Sequence, residues 1–312
     1  MARRPRRQRR EAPGPAGFLV VDKPPGWTSH DVVDAARGWL GTRRVGHLGT
    51  LDPLATGVLP LAVREATKLV PFLAAAEKEY VGAIRLGVAT DTLDAEGAVL
   101  GRHAGPLPDE EAVLAALEAF RGEIRQIPPM YSAVKRGGVA LHRLAREGRS
   151  VEREPKSVQI RRLVLVKYAP PDVEIEVTCS AGTYVRVLAA DLGERLGCGA
   201  HLAHLRRTRS GPFLESMAQA PETLVREAER GEIAARLVPP VNVLGLPALR
   251  LSEAEVGQVG HGGEIEASSP PLTPGTRLAA LAPDGTLVAI LEVLPGRRLR
   301  PLRVLRSLAP AG

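Results

Sequence analysis

The run Gly46-His47-Leu48-Gly49-Thr50-Leu51-Asp52-Pro53-Leu54-Ala55-Thr56-Gly57 holds one carboxylate, Asp52, and one imidazole, His47, among three glycines and a proline. That composition opposes any regular element and calls for a shaped loop. Pro53 pushes Asp52 away from helical angles toward extended backbone. The apolar run 58–63 follows at once and reads as a buried strand. A lone carboxylate on a stiff loop, anchored by a core strand, is how a protein presents a reactive oxygen to a ligand. Local physics leaves a second reading open, because Asp-Pro is also an ordinary turn dipeptide whose carboxylate bonds its own backbone. Tyr80, in Lys78-Glu79-Tyr80, suits either a site wall or a strand aromatic packed in the core. Arg186, in Gly182-Thr183-Tyr184-Val185-Arg186, falls at a helix start, where a cation opposes the dipole unless a carboxylate meets it.

The elements that must position these groups follow from periodicity. Residues 17–21 read as a short strand ended by the turn Lys23-Pro24-Pro25-Gly26. Ser29 has the chemistry of an N-cap for a helix to about Leu40, with Val32, Val33, Ala36 and Leu40 inward. A helix near 65–75, a strand over 78–86, a polar turn over 90–97 and a helix over 109–120 come next. A basic helix is expected over 139–147. Residues 157–168 and 173–179 alternate as the strands of a long hairpin, a helix runs to about Leu196, and 201–208 return to strand. Many strands and few helices give an α+β class built on a mixed, mainly antiparallel sheet with flanking helices. Pro239-Pro240 and Gly245-Leu246-Pro247 mark a hinge. Beyond it lie short strands, a brief helix from Leu251-Ser252 and a hairpin around Asp284-Gly285.

A chain of 312 residues suits one large domain plus a small one. The net charge of +7 favours an anionic partner. Six arginines without an acid lie in residues 1–10, in an arm expected to be disordered over 1–16. Further basic stretches at 121–162, at Arg206, Arg207 and Arg209, and at 297–306 suggest a long polyanion rather than one phosphate. No apolar stretch is long enough to cross a bilayer, and none follows the charged start as a signal peptide requires, so the expected compartment is the cytoplasm. Cys179 and Cys198 are far apart with no ligand cluster around them. They are expected to be reduced and buried, and no metal site is indicated.

The aspartate run resembles the catalytic loop of the TruB family, the bacterial tRNA pseudouridine-55 synthases, whose pattern G-H-x-G-x-L-D-P-x-A-x-G is filled at every fixed position. The resemblance implies that Asp52 is the catalytic aspartate and that His47 enters the RNA loop. It extends to Asp22-Lys23-Pro24 with Gly26, Thr28 and Ser29, and to the K-x-Y tyrosine, making Tyr80 the residue that stacks on the target base. By the same resemblance Arg186 pairs with Asp52, Tyr184 supports the uracil pocket, Leu205 lines it, and Lys68 lies near the RNA backbone. For Lys68 a surface helix lysine reads equally well. Residues 126–151 resemble the family's RNA-gripping thumb, with Gln126, Pro128, Pro129, Tyr131, Ser132, Lys135 and Arg146 in place, and His142 where the family often has tyrosine. More loosely, residues 247–312 resemble a PUA domain, a small β-barrel that binds RNA. The implied division is an arm (1–16), a catalytic domain (17–246) and the PUA-like domain (247–312).

The implied reaction isomerises a uridine in the T-loop of tRNA, at position 55. It breaks the C1′–N1 bond, turns the uracil and joins C5 to C1′, with no net change of atoms or redox state. No cofactor is therefore required, in keeping with the absence of nucleotide-binding glycine loops. The implied partner is the tRNA T-arm stem-loop, bound by a monomer without guide RNA. Two other readings stand beside this one. The chain is an RNA-refolding module whose catalysis is secondary, or a guide-dependent relative of the dyskerin type, against which the apparent thumb argues.

Overall fold

The computed structural model of the chain describes residues 14–132, 135–136, 139–141, 144, 147, 151–266 and 273–305. The Arg-rich arm to residue 13, His142 and Arg146 lie outside the described residues. Strand β1 (Gly17–Lys23) turns through Gly26 into helix α1 (Ser29–Trp39). The cap of α1 is Thr28, one residue before the expected Ser29. Its hydroxyl accepts from Asp31 N at 3.1 Å, and the Asp31 carboxylate accepts from Thr28 N at 2.8 Å. This reciprocal capping box outcompetes a serine that has no acid three residues on. Strands β2 (Val45–His47) and β3 (Thr56–Val63) flank the aspartate loop and take over its ends, so its irregular part narrows to 48–55.

The helix expected near 65–75 is a 3-10 turn, Arg64–Leu69, running into a short helix, Val70–Leu73. Strand β4 (Lys78–Leu86) follows, then the hairpin β5 (Val88–Thr90) and β6 (Val99–Arg102), helix α2 (Glu110–Glu118) and β7 (Gly122–Gln126). In the basic insertion β8 (Lys135–Arg136) pairs with β9 (Val139–Ala140), so Val139 and Ala140 are strand where a helix is expected. Gly137-Gly138 stands at the two-residue spacing of a hairpin connection, and that signal outweighs the helical pattern. Leu141 and Leu144 beyond it are helical and buried. The long hairpin β10 (Lys156–Ala169) and β11 (Asp172–Cys179) leads to helix α3 (Val185–Arg195), β12 (Ala200–Ser210), β13 (Phe213–Leu214) and helix α4 (Pro221–Glu229).

These strands form a nine-stranded sheet in the order β1-β3-β12-β4-β11-β10-β7, with β2 beside β3 and β13 beside β12. Its pairings are antiparallel except for the short contact of β12 with β3, at Arg206↔Thr56 and Arg207↔Gly57. One face buries the alternate apolar residues of β3, β4, β11 and β12 against α1, α2 and α3. The other face carries arginine–carboxylate pairs across the strands: Arg85–Asp172 at 2.8 Å, Arg162–Glu176 at 2.5 Å and Arg209–Glu79 at 2.7 Å. Arg206 joins Asp22 at 2.9 Å and Glu215 at 2.6 Å. Partly exposed pairs of this kind stabilise little, but they set register and neutralise charge. The cluster Arg206, Arg207 and Arg209, expected to face a polyanion, is therefore held internally, with Arg207 fully buried.

A second, five-stranded sheet has the order β14-β16-β17-β18-β15. It comprises β14 (Ala248–Arg250), β15 (Ile265–Glu266), β16 (Arg277–Leu281), β17 (Leu287–Val293) and β18 (Arg298–Val304), with helix α5 (Glu253–Gly260) between β14 and β15. One apolar cluster belongs to this sheet and α5. Another joins Phe18, Val20 and Val58 of the large sheet to Ala279, Leu281, Leu287 and Ile290 of the small one. The segment expected to be a hinge packs into that shared cluster through Val238, Val243, Leu244 and Leu246, so it is not a bare tether. Both cysteines are free and buried, and burial pushes the Cys179 thiol up to about 11.

Candidate active site

Loop 48–55 is fixed from two sides. Its apolar residues Leu48, Leu51 and Ala55 are buried in the cores on either side of it. Its polar backbone is then satisfied by buried side chains from distant elements, since an unpaired buried carbonyl is costly. Ser29, freed from capping, donates its hydroxyl to Leu51 O at 2.9 Å and accepts from Leu51 N at 2.7 Å. Lys23 donates to Pro53 O at 3.1 Å and Trp27 O at 2.6 Å. Burial lowers its pKa to about 8. Arg207 donates to Thr50 O at 3.3 Å and Gly49 O at 3.2 Å.

The Asp52 carboxylate held by this frame meets Arg186, whose side chain is only 5% exposed. Arg186 Nη2 donates to Asp52 Oδ1 at 3.3 Å, and Nε lies 3.2 Å from Oδ2 as an ion-pair contact outside hydrogen-bond geometry. The same guanidinium donates to Tyr131 O at 2.5 Å, and its Nη1 lies 3.9 Å from Asp94 Oδ2. A cation in the first turn of α3 is thus answered by carboxylates, as its conflict with the dipole requires. Asp94 is fixed in turn, its Oδ1 accepting from Thr92 Oγ1 at 2.5 Å and Glu96 N at 3.1 Å.

Although 40% of the Asp52 side chain stays open to the cavity, protein atoms crowd around its carboxylate and partly desolvate it. That desolvation pushes its pKa above the ordinary value of 3.8, with Arg186 pulling it down and Asp94 pushing it up. The net direction is upward because burial outweighs the guanidinium.

The cavity beside Asp52 has a volume of about 240 Å³ and is lined by Tyr80, Tyr184, Arg186 and Leu205, with Lys78 and Arg207 among its further walls. Four of the sequence candidates thus meet Asp52 in one place. Tyr80 satisfies both of its readings, being 7% exposed in the core cluster while lining the cavity. Burial raises its phenol pKa, and Arg207 opposes the shift. Tyr184 precedes α3 and is clamped by Gln126, which donates to Tyr184 O at 3.2 Å and accepts from Tyr184 N at 2.9 Å. His47, at the end of β2, is not among the lining residues; burial lowers its pKa below 6.5, which keeps the ring neutral at neutral pH.

Lys68 also lies away from the cavity, paired with Glu65 at 2.7 Å and donating to Val304 O at 3.0 Å. Lys135 is a strand residue of the basic insertion. Asp94 escaped the sequence reading, because a polar turn gives no sign of the arginine it meets. Lys23, Ser29 and Gln126 lie in motifs that the sequence singled out, the first two in one whose implied role is largely architectural, but the backbone groups they brace emerge only from the fold.

An arginine-held aspartate thus stands at the wall of a cavity on the mixed sheet. The fold is similar, with a TM-score of 0.70 and 29% identity over 95% of this chain and 85% of the other, to a structure of a Cbf5-Nop10-Gar1 complex. It is similar with the same TM-score, at 27% identity over 94% and 86%, to a structure of an H/ACA RNP bound to a substrate RNA containing 2'-deoxyuridine. The chain is a pseudouridine synthase. Residues 37–185 match the N-terminal domain of TruB family pseudouridylate synthases. Residues 186–243 match the C-terminal domain of tRNA pseudouridylate synthase B, and 246–306 that of tRNA pseudouridine synthase II. The tRNA pseudouridine synthase B of Geobacter sulfurreducens is 46% identical over 92% of this chain and 99% of its own length. That of Stutzerimonas stutzeri is 44% identical over 94% and 96%. The chain belongs to the TruB family.

Proposed function

We propose that the protein converts a uridine in the T-loop of tRNA, at position 55, to pseudouridine, with Asp52 as the catalytic carboxylate. The observation that carries this reading is the Asp52–Arg186 contact at 3.2 Å on the wall of the cavity. The base reaches the cavity only by leaving its stack, at a cost of a few kcal/mol. Tyr80 and Leu205 offer the apolar surfaces that offset that cost by stacking and packing, and His47 fills the space left in the RNA.

Asp52 reacts in its ionised form, whether at the sugar C1′ or by taking a proton from C2′. Arg186 favours that form and fixes the carboxylate's direction, while Asp94 and Gln126 hold the arginine and the start of α3. The C1′–N1 bond breaks, C5 bonds to C1′, the C5 proton departs with Tyr80 beside it, and N1 takes up a proton.

The protein acts without guide RNA in this reading, since the relatives matched over nearly their whole length are named tRNA pseudouridine synthase B. Lys135 and Arg146 of the thumb grip the RNA, as a monomer. Catalysis and refolding of the tRNA separate in one comparison. Asp52→Asn abolishes product while retaining tRNA affinity, whereas alanine at Lys135 and Arg146 weakens affinity first. Retention of product by Asp52→Asn would refute the catalytic assignment.

A further inference from the structure

Arg207 is the largest fully buried side chain among the described residues. A guanidinium carries five N–H donors and a charge that cannot be lost, so full burial is costly unless each donor is answered. Its Nε donates to Val58 O at 2.7 Å, Nη1 to Thr50 O at 3.3 Å and Nη2 to Gly49 O at 3.2 Å. These carbonyls stand before and after Asp52 in the chain. On the neighbouring strand the residue directly opposite Arg207 is Tyr80, and both line the cavity. Its guanidinium acts on the Tyr80 phenol at close range.

The backbone of Arg207 is pinned as well. It pairs with Gly57, where φ is +96° and an added Cβ would lie 2.3 Å from Arg207 O. One side chain therefore spans the two walls of the site, the aspartate loop and the tyrosine strand. No other described lining residue bonds to two carbonyls of the loop.

We propose that Arg207 is a positioning residue that fixes the Asp52 carboxylate and the Tyr80 ring relative to each other, acting on the uridine only through those two groups. The proposal rests on the roles given to Asp52 and Tyr80 above. Lysine keeps the charge but has no planar fork to span both walls.

The test compares wild type, Arg207→Lys, Tyr80→Phe and the double variant by single-turnover pseudouridine formation and by tRNA affinity. The expected result for Arg207→Lys is a rate lower by about a hundredfold, the usual consequence of a misplaced reacting group, with affinity retained. The double variant is expected to lose less than the product of the single losses, since both changes act on one unit. A 3-fluorotyrosine at position 80 is expected to change its fluorine resonance and its titration in Arg207→Lys, which a remote core staple would not cause.

If Arg207→Lys fails to fold, Tyr80→Phe carries the test, through a shift of the Arg207 guanidinium nitrogen resonances. No shift there would overturn the proposal. So would multiplicative losses with an unchanged fluorine resonance, or weakened binding at an unchanged rate. An inert wild type overturns the functional reading and this proposal together. An active wild type indifferent to Arg207→Lys overturns this proposal alone.

Discussion

In the proposed reaction Asp52 must lose its proton, yet its surroundings resist the charge. Burial and Asp94 raise its pKa above 3.8, and Arg186 opposes them. Activity that needs the carboxylate therefore rises with pH along a limb displaced above the ordinary aspartate range. Asp94→Asn removes a like charge and moves that limb to lower pH; Arg186→Gln removes the opposite charge and moves it higher. Single-turnover rates measured against pH check both signs, and a shift in the same direction for the two variants would contradict this electrostatic picture. Asp52 and Arg186 were legible in the sequence through the resemblance of their motifs to a known family, since local physics alone left Asp52 open to an ordinary turn and Arg186 only in conflict with the helix dipole. Asp94 was not, because its importance comes from a contact made only when the β5–β6 connection folds over α3.

The aspartate loop is shaped less by its own residues than by what reaches into it. Ser29 read from the sequence as a cap, but Thr28 has the acid partner at Asp31 and takes that role. The serine then serves Leu51 instead. Ser29→Ala is expected to destabilise the protein by about 1–3 kcal/mol, because the Leu51 N–H is left buried without its partner. Urea denaturation checks the magnitude, and the single-turnover rate is expected to fall with it. Strands and helices with clear periodicity, such as β4 and the β10–β11 hairpin, were legible almost to their ends. The strand at Val139–Ala140 was not, since two residues are too short for a period to show.

Charge and packing act across the whole molecule. The excess of arginine suggested broad basic patches, but Arg85, Arg162, Arg206 and Arg209 are bound to carboxylates on the large sheet. Affinity for tRNA is expected to fall with salt, through release of counterions from the phosphates. Arg162→Ala and Arg209→Ala are expected to leave the slope of that dependence unchanged. A slope reduced by about 0.7–0.9 per variant would mean that each arginine contacts a phosphate. Pairing of this kind is invisible in a charge count, because it depends on strand register.

The two sheets share the cluster around Phe18 and Ile290. Ile290→Ala is expected to cost roughly 2–5 kcal/mol and to leave one unfolding transition rather than two. Circular dichroism and tryptophan fluorescence should report the same midpoint.

The most direct measurement is tritium release from C5-tritiated uridine in unmodified tRNA, with no guide RNA or cofactor, for wild type and Asp52→Asn. The account predicts release by wild type, a loss of at least about a thousandfold in the variant, where a positioned catalytic group is removed, and unchanged tRNA affinity. Release that persists in Asp52→Asn, or a wild type that binds tRNA tightly and releases nothing, would contradict it.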